Sequence, residues 1–429
     1  MKFIADFHVH SHFSRATARN LDLENMYIAA QQKGITVVGT GDFTHPQWFF
    51  EIIEKLVPAE AGLYRLRRKT AAVCDKKVPL SCRREVRFVL TAEISNIYKK
   101  NGKIRKNHNL IIVPDIKTAA RFGKKLGAIG NIHSDGRPIL SLDSKNLLEN
   151  LLETSEESLL IPAHIWTPWF SVLGSKNGFN SIEECFEDLS DHIFAVETGL
   201  SSDPAMNRRV SCLDKYALIS NSDAHSPMNL GRESNIFKTE LSYRHIFSAI
   251  QNRNLNKFLG TYEFYPEEGK YHLDGHRNCK IRLSPKETIR NGGICPKCKK
   301  TLTLGVLYRV EELADRPINE RPEQQPLFYS SIPLTDILAE ILKKGIKSKV
   351  VQDQYHFLLN RFGCEYTILH DLSTETLRRS DMPLLAEAIT RMRRGNVFIQ
   401  PGYDGAYGKI QIFDPLKKRG ETLFRPAVH

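Results

Sequence analysis

Residue types that bind metals recur along the first two-thirds of this chain, each beside a short apolar run, and that arrangement restricts the fold more than any other feature. Residues 1–10 read as a strand that ends in His8 and His10, and the period of two points both to one side. Leu21 to Lys33 reads as a helix closed by Gly34, and the strand from Ile35 to Gly39 leads into Asp42 and His45. Further strands are expected at Val86–Leu90, Asn109–Val113, Ser158–Pro162, Ile193–Val196 and Ala217–Asn221. Glu93, His108, His164, Asp223 and His225 lie beside them. Strands that alternate with helices predict an α/β fold with a parallel sheet, open or closed into a barrel. In such folds chemistry gathers at the C-terminal strand ends, which is where these side chains fall.

The residue mixture has a chemical logic. Imidazole suits Zn, Fe or Mn, whereas carboxylates suit harder ions and can bridge two metals. A bound divalent ion generates hydroxide near neutral pH and can stabilise both oxygens of a phosphoester in displacement. A lone His beside a strand is an ordinary polar group. Nine such residues at successive strand ends are expected to form one metal site: His8, His10, Asp42, His45, Glu93, His108, His164, Asp223 and His225.

On these residues the first 260 or so positions resemble the PHP (polymerase and histidinol phosphatase) family. His8 and His10 match its opening His-x-His, Asp42 its strand-end Asp, Glu93 its bridging carboxylate, and Asp223 and His225 its closing Asp-x-His. His108 and His164 match the mid-barrel histidines. The family has a His directly after the Asp, where this chain has Phe43; His45 is the available substitute. The resemblance implies a distorted βα barrel, two or three divalent metals (Zn, Mn, Mg or Fe) and phosphoesterase activity. It puts the catalytic burden on Asp223, Glu93, His8 and His10, with Asp223 the leading candidate for an essential ligand.

Past position 264 the texture changes. Residues 265–310 are rich in Pro, Gly and Lys and carry the pair Cys295 and Cys298 in Cys-x-x-Cys spacing, preceded by His276 and Cys279 at equal spacing. Three thiols and an imidazole make a closed tetrahedral site for one structural Zn, which predicts a zinc-ribbon-like module that serves folding. His272 competes with His276 for the fourth position, and a redox-active pair would need a thioredoxin-like context. A polar, proline-rich linker then leads into a third, α+β region at 311–429. It is predicted to contain helices at Leu334–Lys344 and Met382–Arg394 and a strand pair around the loop 401–408.

The net charge of +12 and the basic stretch from Arg65 to Lys106, with Arg83 and Arg84 inside it, favour a polyanionic partner, nucleic acid before membrane. No run of eighteen apolar residues and no signal-peptide core is visible, so a membrane partner is not expected and the cytoplasm, around the nucleoid, is the expected compartment. The barrel pattern, the cysteine module and the phrases GRESNIF, YHLDGHRNC and PGYDGAYGKI together resemble the endonuclease Q family over nearly the whole chain. That resemblance implies a DNA-repair enzyme nicking 5′ of deaminated bases (uracil, hypoxanthine, xanthine) and abasic sites. Trp166, Trp169 and Lys176 after His164, and Tyr403 in the C-terminal loop, are the candidate DNA contacts beside Arg83 and Arg84. The third region would recognise the damaged base. Gln324 to Phe328 has the look of a sliding-clamp peptide. Two other readings fit parts of the chain: a small-molecule phosphatase of the histidinol-phosphate type, and a non-catalytic DNA-binding scaffold.

Overall fold

The computed structural model describes residues 1–414 except 319, 321, 323, 324 and 381. Its centre is a mixed sheet of eleven strands: β1 (Lys2–Asp6), β2 (Val37–Gly39), β3 (Leu56–Pro58), β4 (Tyr64–Leu66), β5 (Arg87–Lys100), β6 (Lys103–Val113), β7 (Ile139–Leu140), β8 (Leu159–Pro162), β11 (Ser234–Lys238), β12 (Phe258–Glu263) and β15 (Leu327–Ser330). The remaining strands pair off: β9 (Ala195–Glu197) with β10 (Ala217–Ile219), β13 (Asp274–His276) with β14 (Ile281–Leu283), and β16 (Phe398–Gln400) with β17 (Lys409–Gln411).

The α/β expectation holds, but the sheet is mixed. β1, β2 and β5 run parallel, whereas β5–β6, β6–β8, β1–β11 and β11–β12 are antiparallel. The departure has a local cause. Asn101 and Gly102 both adopt positive φ, making a two-residue turn that folds residues 87–113 into one long hairpin. Sequence periodicity caught only the apolar base of each arm, because the outer half, from Ile97 to Ile104, carries lysines and partly exposed residues.

Alternation along the strands feeds two cores. Phe3, Ala5 and Phe7 pack with Val37, Val89, Leu110, Ile161, Ala217, Ile219 and Phe237 and with the helix Tyr243–Gln251. Residues of opposite parity, such as Val38, Phe88 and Leu90, pack on the surrounding helices. Each fully buried Phe or Leu contributes about 1.5–3 kcal/mol of transfer free energy, so the strand ends above are held on a rigid base. The helix Leu23–Lys33 starts at Asp22, whose carboxylate accepts from Asn25 N–H, and stops at Gly34 with φ 97°. A Cβ at Gly34 would lie 2.4 Å from Cys364 Sγ, so this glycine also admits the C-terminal unit.

That unit has its own core: Ile337, Leu338, Leu358, Leu359, Ile368, Leu385 and Ile389, joined by Val78 and Cys82 from the first region. The helices Leu334–Leu342 and Pro383–Arg393 lie where the apolar spacing puts them. No helix of the described residues is long and apolar enough to cross a membrane. Gln324 lies outside the described residues, while Leu327 and Phe328 belong to β15, parallel to β12.

Candidate metal centre and nucleic-acid interface

Six of the nine predicted ligands converge, and Glu93 divides them into two groups. Its Oε2 lies 3.3 Å from His10 Nε2 and 3.6 Å from His8 Nε2, and Asp223 Oδ1 completes that group at 2.9 Å from His10 Nε2. Its Oε1 lies 2.7 Å from His108 Nδ1 and 3.1 Å from His164 Nε2. In each group one ligating atom per residue falls within 4.8 Å of the others. A carboxylate placed so is shaped to bridge two cations.

The donor set fits metal ions on a second ground. His8 Nε2 is buried without a hydrogen-bond partner and faces this gap, while its Nδ1–H donates to Glu197 at 3.0 Å. An orphaned buried ring nitrogen is costly unless a hydrogen bond or a bound cation satisfies it. Burial opposes charge on His8, yet Glu197 and Glu93 outweigh it and hold the imidazole well above its usual range. Burial wins at His108 and brings it down to about 4, the neutral form a ligand requires. Glu93 is held far below the usual carboxylate range: burial works against ionisation, but His108, Arg137 and His8 overcome it. Ionised Glu93 and Asp223 beside the neutral ring of His108 offer a divalent cation both charge and nitrogen donors.

Three expected ligands stay out of the two groups. Asp42 is an orienting carboxylate: Oδ1 accepts from His10 Nδ1–H at 3.2 Å, and Oδ2 accepts from Ser11 N–H, Ser11 Oγ–H and Ser14 Oγ–H at 2.7–2.8 Å. His45 is a helix cap. Its Nδ1 accepts from Trp48 N–H and its Nε2–H donates to the His133 carbonyl at 3.0 Å, which leaves no nitrogen for a metal in place of the residue missing at Phe43. His225 packs against His10 with the rings tilted by 59° and their centres 4.5 Å apart, and its Nδ1–H donates to the Asp223 carbonyl at 2.8 Å. Asp42, His164 and Asp223 all have positive φ, between 32° and 48°. Such strain in non-glycine residues persists where surrounding contacts hold it, and it concentrates at functional sites.

Two partners went unread in the sequence. Glu197 ends β9, just as Glu93 follows an apolar run, so the strand-end rule could have flagged it; it accepts from His8, from Asn221 and from His164 N–H. Arg137 Nη1 lies 3.0 Å from Glu93 Oε2, but it comes from a loop with no periodic signal.

The second cluster joins His276, Cys279, Cys295 and Cys298 within the same 4.8 Å limit. His276 Nδ1 is 3.2 Å from Cys298 Sγ. Desolvation disfavours the Cys295 thiolate, but the N–H groups of Cys298 and Lys297 reverse the balance and bring the thiol down to about 6. His272 is buried elsewhere and is not among the four.

The candidate DNA contacts separate sharply. Trp169 is 41% exposed and Lys176 is exposed on the same loop. Trp166 is wholly buried, its indole N–H donating to Asn207 at 2.7 Å, so it cannot stack on a base. The Tyr403 ring lies over Gly275 in the cysteine module, where a Cβ would be 2.4 Å away, and its backbone pairs with Leu273 and Ala406. Arg83 donates to the Val78 carbonyl, and Arg84 to the Cys82 carbonyl and Cys364 Sγ. Both line a cleft of about 450 Å³ at the start of β5, six residues before Glu93. That is roughly 20 Å along the strand from the metal ligands. Arg84 thereby ties the first region to the C-terminal unit, and neither arginine borders the metal centre.

Comparison with known proteins follows the same outline. A family profile described as the MJ0043 C-terminal domain matches residues 333–396. The chain is 36% identical over 260 residues to the uncharacterized protein MJ0043 of Methanocaldococcus jannaschii, covering 59% of this chain but 32% of that protein. It thus spans about a third of that relative's length. The crystal structure of the lesion-specific endonuclease PfuEndoQ from Pyrococcus furiosus superposes with a TM-score of 0.83 at 31% identity, covering 96% of this chain and 95% of that one. A crystal structure of endonuclease Q with a 27-mer duplex substrate carrying an abasic lesion at the active site gives 0.81 and 31%, covering 96% and 97%.

Proposed function

Because the chain belongs to the endonuclease Q family, we propose that it is a DNA-repair endonuclease that nicks on the 5′ side of deaminated bases (uracil, hypoxanthine, xanthine) and abasic sites. The observation that carries this reading is the division of Glu93 between two ligand groups, Oε2 toward His8, His10 and Asp223, Oε1 toward His108 and His164. Two or three divalent ions (Zn, Mn, Mg or Fe) would be held there, at the mouth of a PHP-type distorted barrel. When bound, they supply an activated water and positive charge for the leaving 3′ oxygen.

The chain's own residues prepare that site. Glu197 fixes the orientation of His8, Asp42 that of His10, and Arg137 keeps Glu93 ionised. The module at 265–310 holds one structural Zn and the region 311–429 recognises DNA and the damaged base. Trp169 and Lys176, exposed on the loop that follows His164, are the candidate contacts nearest in sequence to a metal-centre residue.

A nicking assay tests the proposal. Duplexes with a single uracil, hypoxanthine, abasic site or normal base are incubated with the protein and Mg, Mn or Zn, beside Asp223→Ala. Lesion-dependent nicks lost in the variant are expected. Turnover of small phosphomonoesters with no cleavage of any duplex would favour the phosphatase reading instead.

A further inference from the structure

The loop after His164 carries an aromatic surface onto which two distant segments of the chain converge. Trp169 packs edge-on against Tyr271, with ring centres 5.2 Å apart. Lys270 Nζ stands 5.7 Å from the Tyr271 ring and 5.8 Å from the Tyr407 ring, bridging them. Tyr407 is 74% exposed and Trp169 41%, well beyond what a packing role requires. Lys176 N–H donates to the Pro168 carbonyl, which sets a second exposed cation beside Trp169.

The surface is built, and it is joined to the metal centre. Gly405 N–H donates to the Lys270 carbonyl, and Asp404 accepts from Arg277 N–H and Thr303 Oγ–H, each at 2.6 Å. Those bonds pin the 401–408 loop to the cysteine module and occupy the one carboxylate of that loop, leaving the exposed groups cationic and aromatic. On the other side, Thr167 Oγ1 lies 3.1 Å from His164 Nδ1 and donates to the Trp169 carbonyl at 2.9 Å. One hydroxyl therefore separates the aromatic surface from a residue of the metal cluster.

We propose that Trp169, Lys176, Lys270, Tyr271 and Tyr407 form a binding platform for unpaired nucleotides of the DNA strand that enters the metal centre; the proposal rests on the endonuclease reading above. Exposed rings stack on any base because every base has a π-face, and ammonium groups between them meet the phosphates. A merely electrostatic track would need no rings, and a packing cluster would not leave Tyr407 in solvent. The platform holds the strand on the side of the His164 loop and leaves lesion discrimination to other residues.

Fluorescence anisotropy with a short single-stranded oligothymidylate tests the platform apart from cleavage, using the full chain and the double variant Lys270→Ala/Tyr407→Ala. Both side chains are exposed, so folding should be spared. The expected result is affinity weakened about tenfold or more, a smaller loss on an intact blunt duplex, and near wild-type binding by Tyr407→Phe, which keeps the ring. Equal affinity of the double variant and the parent would overturn the platform, as would a Tyr407→Phe variant as weak as the double one. Nicking of lesion duplexes is scored separately: a parent protein that binds the oligomer but cuts no lesion duplex refutes the endonuclease reading, not the platform.

Discussion

Tyr366, in the C-terminal unit, donates its hydroxyl hydrogen to the carbonyl of Gly231, eight residues after Asp223. The same oxygen is 2.6 Å from Ser234 Oγ. Gly231 N–H donates to Asp6 Oδ2 and Ser222 N–H to Asp6 Oδ1, while Arg232 donates to the carbonyls of Ser222 and Asp223. The C-terminal unit is thereby connected, bond by bond, to the backbone of a metal-site residue.

Tyr366→Phe removes the hydroxyl and leaves the buried Ser234 hydroxyl and the half-buried Gly231 carbonyl short of a partner. Unfolding experiments should register about 1–3 kcal/mol of lost stability. The turnover number should fall several-fold with the KM for DNA little changed, because the substituted group supports Asp223 and touches no strand. A changed KM with constant turnover would speak against this linkage.

Glu93→Gln keeps the shape of the side chain and removes its charge. Both ligand groups should weaken together, with nicking falling at least a hundredfold and the metal content of the centre dropping toward zero. Zinc held by the three cysteines and His276 should stay at one equivalent, which elemental analysis can count in the same sample. Full retention of the other metals in the Gln variant would contradict a bridging role.

Cys295→Ser should release that equivalent of zinc and loosen residues 265–310. A closed four-ligand site contributes folding free energy directly. Hydrogen exchange should show faster exchange in β13 and β14 and around the 401–408 loop, while β1, β2 and β5 keep their protection. Uniform loss of protection through all strands would show that the module does not fold as a separate cooperative unit.

Glu263 gives the chain a pH signature. Burial, reinforced by Asp203, pushes its carboxyl up to about 8, although Ser220, Thr261 and Thr198 donate to it. A carboxyl with a raised native value favours folding fully below its unfolded value of about 4.3. That contribution is lost as pH climbs from there through about 8. Glu263→Gln should therefore flatten the decline in melting temperature between pH 5 and 8. A variant whose decline matches the parent's would show that Glu263 ionises normally.

Much of the first region could be read from the sequence because its strands are short, continuously buried apolar runs, and because polar side chains follow most of them. His8, His10, Glu93, His164 and Asp223 obey that rule and meet in space with His108, which instead precedes the apolar run of β6. Asp42 and His45 obey it too and yet serve as carboxylate and cap, since sequence position fixes the strand end but not where a side chain finds its hydrogen bonds. The loop around Trp166 predicts a DNA contact, but the packed structure buries the ring and pairs its indole N–H with Asn207. Arg83 and Arg84 lie just before the start of β5, away from Glu93, because charge density does not say which end of a strand a basic run occupies.

The most direct measurement is to map, at single-nucleotide resolution, the product formed from an end-labelled duplex bearing one abasic site. The account predicts one incision immediately 5′ of the lesion, absent in Asp223→Ala and in Glu93→Gln. Incision at random positions, incision 3′ of the lesion, or an intact duplex with the metal centre fully loaded would contradict it.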